Sequence, residues 1–88
     1  MRKIVGKVTL IEKTEIQSLF ERKNGLIELA KIIKPEDAIY EKLVSDIGST
    51  ATKFQNWWDS MSQKYQWESV ENGHWEIDFG SGEIILVG

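Results

Sequence analysis

The sequence predicts an α+β fold: two long antiparallel helices, forming a helical hairpin, followed by a small three-stranded antiparallel β-meander. Three observations carry this. Apolar residues recur every three or four positions through the middle of the chain, a single proline divides that stretch, and after Gln66 the apolar period drops to two. The 88 residues are read as one domain, residues 1–88. A chain of this length is expected to bury roughly 60–65% of its unfolded surface. The 41% apolar and 28% charged fractions are those of a soluble globular protein.

Residues 1–8 contain a short β-branched run, Lys3 to Val8, and read as an N-terminal strand or arm that can join the sheet. Helix 1 is expected over residues 9–34. Thr9-Leu10-Ile11-Glu12 has the pattern of a capping box, in which the Thr hydroxyl and the Glu carboxylate each satisfy an end amide. Thr14 to Gln17 repeats the pattern, and Leu10 and Ile11 fit the later stripe poorly, so either threonine can start the helix. The stripe runs Ile16, Leu19, Phe20, Leu26, Ile27, Ala30, Ile33. Gly25 interrupts it, at a cost of about 1 kcal/mol relative to Ala. Pro35 ends it by disfavouring helical geometry at Lys34.

Helix 2 is expected over residues 35–65, with Pro35 in its first turn and Glu36 and Asp37 beside its positive dipole end. Its apolar stripe runs Ile39, Tyr40, Leu43, Val44, Ile47, Ala51, Phe54, Trp58, Met61, Tyr65, and steps of four and three from Tyr40 onward make a 3.5-residue beat that keeps phase through Gly48. Residues 67–87 form the meander. Trp67–Glu71 and His74–Phe79 flank Asn72-Gly73, a strong hairpin signal, and Glu83–Val87 follows Gly80-Ser81-Gly82. A two-residue Ser81-Gly82 turn would pair Phe79 with Ile84 and Ile77 with Leu86. That register gathers Trp75, Ile77, Phe79, Ile84 and Leu86 on one face, which must cover the helices or a partner.

The chemistry-bearing residues are sparse. There is no Cys, which removes disulfides, thiolate metal sites and cysteine nucleophiles, and one His, which makes a catalytic triad improbable. A bundle-type di-iron site needs paired Glu-x-x-His motifs, and the one histidine, His74, falls in a strand. Gly80-Ser81-Gly82 lacks the length and the Lys of a phosphate loop. No catalytic, cofactor-binding or metal residue is therefore assigned. Apolar runs reach only about five residues, too short for a membrane span, and no leader pattern opens the chain, so a cytoplasmic location is expected.

Charge is uneven: residues 1–34 carry a net +4, residues 35–65 a net −2, and residues 66–88 a net −5 with no Lys or Arg. Either the two ends attract each other within the fold or in a homodimer, or the acidic end attracts a basic partner. Leu43 to Phe54 also reads as helix, glycine turn and recognition helix, a helix-turn-helix. It offers one lysine, Lys53, within a region (residues 35–65) of net −2, which argues against nucleic acid because phosphate neutralisation dominates that affinity. The four tryptophans divide into Trp58 and Trp75, expected in the core, and Trp57 and Trp67, which read as exposed aromatic anchors or, alternatively, as part of a helix-to-sheet aromatic cluster that closes a small core. With Glu68, Glu76 and Asp78, these last two are the candidate partner-binding residues.

Val5-Gly6-Lys7-Val8-Thr9, Phe20-Glu21-Arg22-Lys23-Asn24, Leu26-Ile27-Glu28-Leu29, Tyr40-Glu41-Lys42-Leu43-Val44, Phe54-Gln55-Asn56-Trp57-Trp58 and Trp75-Glu76-Ile77-Asp78-Phe79 together span nearly the whole chain. In these the sequence resembles the small component proteins of CXXX-repeat peptide modification systems. The resemblance implies a bacterial cytoplasmic accessory protein. Its partners would be a precursor peptide with Cys at every fourth residue and a maturase of radical-SAM type. It carries over no catalytic residue, and without Cys this chain is neither the precursor nor the holder of an iron–sulfur cluster. The expected function is a non-enzymatic adaptor that binds a peptide or a maturase. A self-associating helical scaffold and a helix-turn-helix DNA-binding regulator are the alternatives.

Overall fold

The computed structural model describes residues 1–88. Strand β1 (Arg2–Lys7) leads into helix α1 (Leu10–Ile32). Helix α2 (Tyr40–Tyr65), strand β2 (His74–Ile77) and strand β3 (Glu83–Val87) follow. Two helices thus stand with a three-stranded antiparallel sheet, as the α+β pattern requires. The strand order is β1-β3-β2, with both pairs antiparallel.

The capping box at Thr9 forms: the Thr9 hydroxyl accepts from Glu12 N at 3.2 Å, and the Thr9 amide donates to Glu12 Oε1 at 2.9 Å. Helix α1 passes Gly25 without a break, and α2 passes Gly48 likewise. The turn that a helix-turn-helix would need at Gly48 is therefore absent. Pro35 opens no helix. It lies in a turn in which the Asp37 amide donates to Lys34 O at 2.9 Å, and a second turn, with Tyr40 N donating to Asp37 O at 3.0 Å, delays α2 to Tyr40. Proline suits the second position of such a turn because its φ is already set.

The strand expected over residues 67–71 does not form, and the sheet takes its third strand from the N-terminal segment instead. Gln66 caps α2 in the left-handed conformation (φ 50°, ψ 49°) and turns the chain so that Trp67 enters the core. The Glu68 carbonyl then accepts from Trp75 Nε1 at 2.9 Å, and Gly73 N donates to Val70 O at 3.1 Å across a turn with Asn72 at φ 62°. These bonds hold the segment across the end of the sheet, away from the outer edge of β2.

The β2–β3 register also differs from expectation. Ile77 faces Ile84 and Trp75 faces Leu86, a shift of two residues. The Asp78 carboxylate explains it, accepting from Gly80 N at 2.8 Å and Ser81 N at 3.3 Å and so widening the turn. An even shift preserves the face, so Trp75, Ile77, Ile84 and Leu86 still point to one side. Phe79 moves into the loop, where it packs on Phe20 of α1 at a centroid distance of 5.3 Å.

The core gathers Val8, Ile16, Trp57, Trp67 and Ile84, with Phe54, Trp58, Met61, Tyr65, Trp75 and Ile77 packed around it. These come from the sheet, the first half of α1, the second half of α2 and the connections that hold Val8 and Trp67. The remaining halves of the helices project as a two-helix arm. Its reach is visible in the radius of gyration, 15.5 Å, against about 12 Å for a compact domain of this length.

The chain ends meet. Arg2 pairs with Glu76 at 3.2 Å, Lys3 with Glu68 at 2.7 Å, and the Met1 amino nitrogen donates to Gly88 O at 2.8 Å. The basic first strand thus offsets part of the acidic last segment within the fold.

Candidate functional site

The five residues expected to bind a partner have other work. Trp57 is only 6% exposed and Trp67 only 7%, which overturns the expectation that both stand at the surface. The buried residues of α2 are Leu43, a member of the expected stripe, and Thr50 and Trp57, each one residue before a stripe position. Trp57 lies against α1, and the stripe is shared: Phe54 meets Phe20 and Tyr65 meets Glu12 of α1, while Trp58 meets Trp67.

Trp57 Nε1 donates to the Glu12 carbonyl at 3.1 Å. Trp67 stacks on Tyr65 (centroids 5.6 Å apart, planes within 5°) and meets Trp58 and Trp75 edge-on. Glu68 is engaged by Lys3, Glu76 by Arg2 and His74, and Asp78 by the loop amides. The His74 ring, then Arg2, hold the Glu76 carboxyl below its ordinary value.

Glu12 is the one buried acid and ties the helices together. Lys64 Nζ donates to its Oε2 at 2.6 Å, and the Tyr65 hydroxyl donates to its Oε1 at 2.5 Å. Burial pushes the Glu12 carboxyl up. The hydrogen bonds from Lys64, Tyr65 and Thr9 more than offset this and hold it at about 2. The same contact raises Lys64 and Tyr65 above their ordinary values. This carboxylate is fully engaged, so its role is to join the start of α1 to the end of α2.

The arrangement with a free face lies between α2 and β2. Phe54, Gln55, Trp58 and Asp59 of α2, with His74 and Trp75 of β2, line a groove of about 310 Å³. Strand β2 is a sheet edge, paired only with β3. Asp78 N donates to Glu83 O at 2.9 Å, so Asp78 faces β3. By antiparallel alternation Glu76 and His74 face β3 as well, which leaves the N–H and C=O groups of Trp75 and Ile77 directed outward. The half-buried Trp58 and Trp75, assigned to the core from their pattern, are thus the aromatic walls of the groove. A surface signal was available in the alternation of β2, but it required knowing that no strand covers its outer edge.

No cluster of three or more His, Asp or Glu side chains comes together in a metal-binding arrangement. No helix is long and apolar enough to cross a membrane. Comparison with protein-family models, curated proteins and solved structures gave no match to this chain.

Proposed function

We propose that the chain is a non-enzymatic adaptor that binds an extended peptide along the free edge of β2. It would act in a cytoplasmic bacterial peptide modification system of the kind its sequence resembles, where the peptide is the precursor. The observation that carries this reading is an unpaired strand edge lying beside an aromatic groove roofed by a helix. A peptide added there gains main-chain hydrogen bonds from the edge, and the groove receives alternate side chains. The test is an NMR titration with a precursor-type peptide bearing Cys at every fourth residue, alongside its alternately N-methylated form. Shifts at the Trp75 and Ile77 amides that vanish on N-methylation support the reading. Binding that ignores N-methylation, or no shift on β2, overturns it.

A second reading, a self-associating helical scaffold, is favoured by a separate observation. Ile11 (73% exposed) and Leu29 lie five helical turns apart on one side of α1, with Leu10 and Ile32 (78%) beside them. Two such hairpins could stack into a four-helix bundle. Sedimentation velocity distinguishes it: a monomer at high concentration removes the scaffold and leaves the peptide adaptor standing.

A further inference from the structure

We infer that the α2–β2 groove selects a peptide carrying a lysine or arginine at the position that faces α2. This rests on the peptide-binding reading and names the chemistry of its ligand. The groove walls are the rings of Phe54, Trp58 and Trp75. An alkyl side chain would be satisfied by those rings alone, so the charge at the rim decides the matter. Asp59 stands exposed on that rim with no cationic partner, its Oδ1 accepting only from Gln55 Nε2 at 3.0 Å. No Lys or Arg lines the groove, and residues 66–88, which supply its other wall, contain none. The two cations that approach this segment, Arg2 and Lys3, belong to β1 on the far side of the sheet and are committed to Glu76 and Glu68. The basic groups nearest the groove are the His74 ring, placed 3.3 Å from Glu76, and Lys23 of α1, which lines no part of it. Lys23 Nζ stands 5.1 Å from the Phe54 ring and forms no ion pair with Asp59.

Such a site fits a long cationic side chain. Its methylene stem lies along the indole faces while its head stays near water. The head gains from the tryptophan π-faces and from the Asp59 carboxylate. A peptide strand beside β2 presents every second residue to α2, so groove-facing positions fall about 7 Å apart. One of them meets Trp58 and Asp59, and the residues between face outward beside His74 and Glu76. An acidic residue beside Trp58 would meet Asp59 with no cation among the lining residues to offset it.

The experiment uses the full chain and three extended peptides identical except at one groove-facing position: lysine, norleucine or glutamate. Affinity is read by NMR shifts at the Trp75 and Ile77 amides, at two salt concentrations. The lysine peptide is expected to bind about 5–10-fold tighter than the norleucine peptide, and the glutamate peptide weakest. Added salt should narrow the gap. Asp59→Asn, an exposed change, should remove most of the lysine advantage. Equal binding of lysine and norleucine, or a preference unchanged in Asp59→Asn, overturns the cationic selection and leaves the peptide adaptor intact. Failure of all three peptides to bind overturns both.

Discussion

The Trp67 indole occupies the space that a side chain on Gly6 would need. A Cβ at residue 6 would stand 2.6 Å from Trp67 Nε1 and 2.7 Å from Cδ1. The β1–β3 register explains how this comes about. Ile4 faces Ile85 and Gly6 faces Ile84, so Val5 is an extra, bulged residue. The bulge turns Gly6 onto the inner face, opposite a fully buried isoleucine, where only a bare backbone admits the ring. Trp67 Nε1 has no hydrogen-bond partner there, so the ring is held by contact alone.

Gly6→Ala should therefore cost about 1–3 kcal/mol by overpacking. Urea denaturation will show it as a lower midpoint with an unchanged slope. A midpoint equal to that of the parent would mean that Trp67 can move aside. Trp67→Phe in the Gly6→Ala background should recover part of the loss, because the smaller ring clears the new methyl group.

The helix glycines should behave in the opposite way. A Cβ at Gly25 or Gly48 would meet nothing within 4 Å, and both sit inside continuous helices. Gly25→Ala and Gly48→Ala should each stabilise the protein by about 0.5–1 kcal/mol, through helix propensity and the reduced freedom of the unfolded chain. Neither added methyl group would touch a neighbour, so the double variant should show an additive rise in melting temperature.

The Glu12 cluster sets a pH dependence. Its carboxyl lies at about 2 in the folded chain, against 4.5 for the free group. A depressed carboxyl contributes stability that is fully present above the unfolded value and lost as pH falls through the folded one. Stability should therefore decline between about pH 5 and pH 2. Glu12→Gln should lose about 2 kcal/mol at neutral pH, because charge-assisted bonds to Lys64 and Tyr65 are replaced by weaker ones. Its stability should also fall less steeply on acidification. Chemical denaturation at pH 7, 4 and 3 tests both statements, and a variant that parallels the parent across the series would remove Glu12 from the explanation.

On the arm, exposure predicts tolerance. Ile32→Lys should change monomer stability by less than about 0.5 kcal/mol. Leu43→Ala, at a position 4% exposed, should cost about 2–4 kcal/mol. If the hairpins stack, Ile32→Lys should also lower the sedimentation coefficient at high concentration, and Leu43→Ala would lower stability without that selectivity.

Much of the fold was legible because it rests on local rules. The Thr9–Glu12 cap and both helical stripes follow from spacing that a short window contains. The inner face of β2 and β3 survived an error of two residues in register because side chains alternate with period two. What was not legible depended on distant partners. The Trp67–Glu71 stretch alternates like a strand, yet the pull of Trp67 toward Gly6, far away in sequence, outweighed it. Trp57 looked like a residue outside the stripe, but its indole lies against α1, where its Nε1 reaches the Glu12 carbonyl 45 residues away in sequence. At the candidate site Trp58 and Trp75 were recognisable as apolar, and their role as groove walls was not. It depends on which edge of the sheet is left open, and that is settled by β1 taking the other edge of β3.

The middle position of β3 has a consequence for how the molecule assembles. Neither β1 nor β2 has any other neighbour in the sheet, so none of its ladder can close until residues 83–87 have been made. During synthesis the two helices can come together first, with their tryptophans still open to solvent and to any chaperone. The final strand then joins the two others in a single late step.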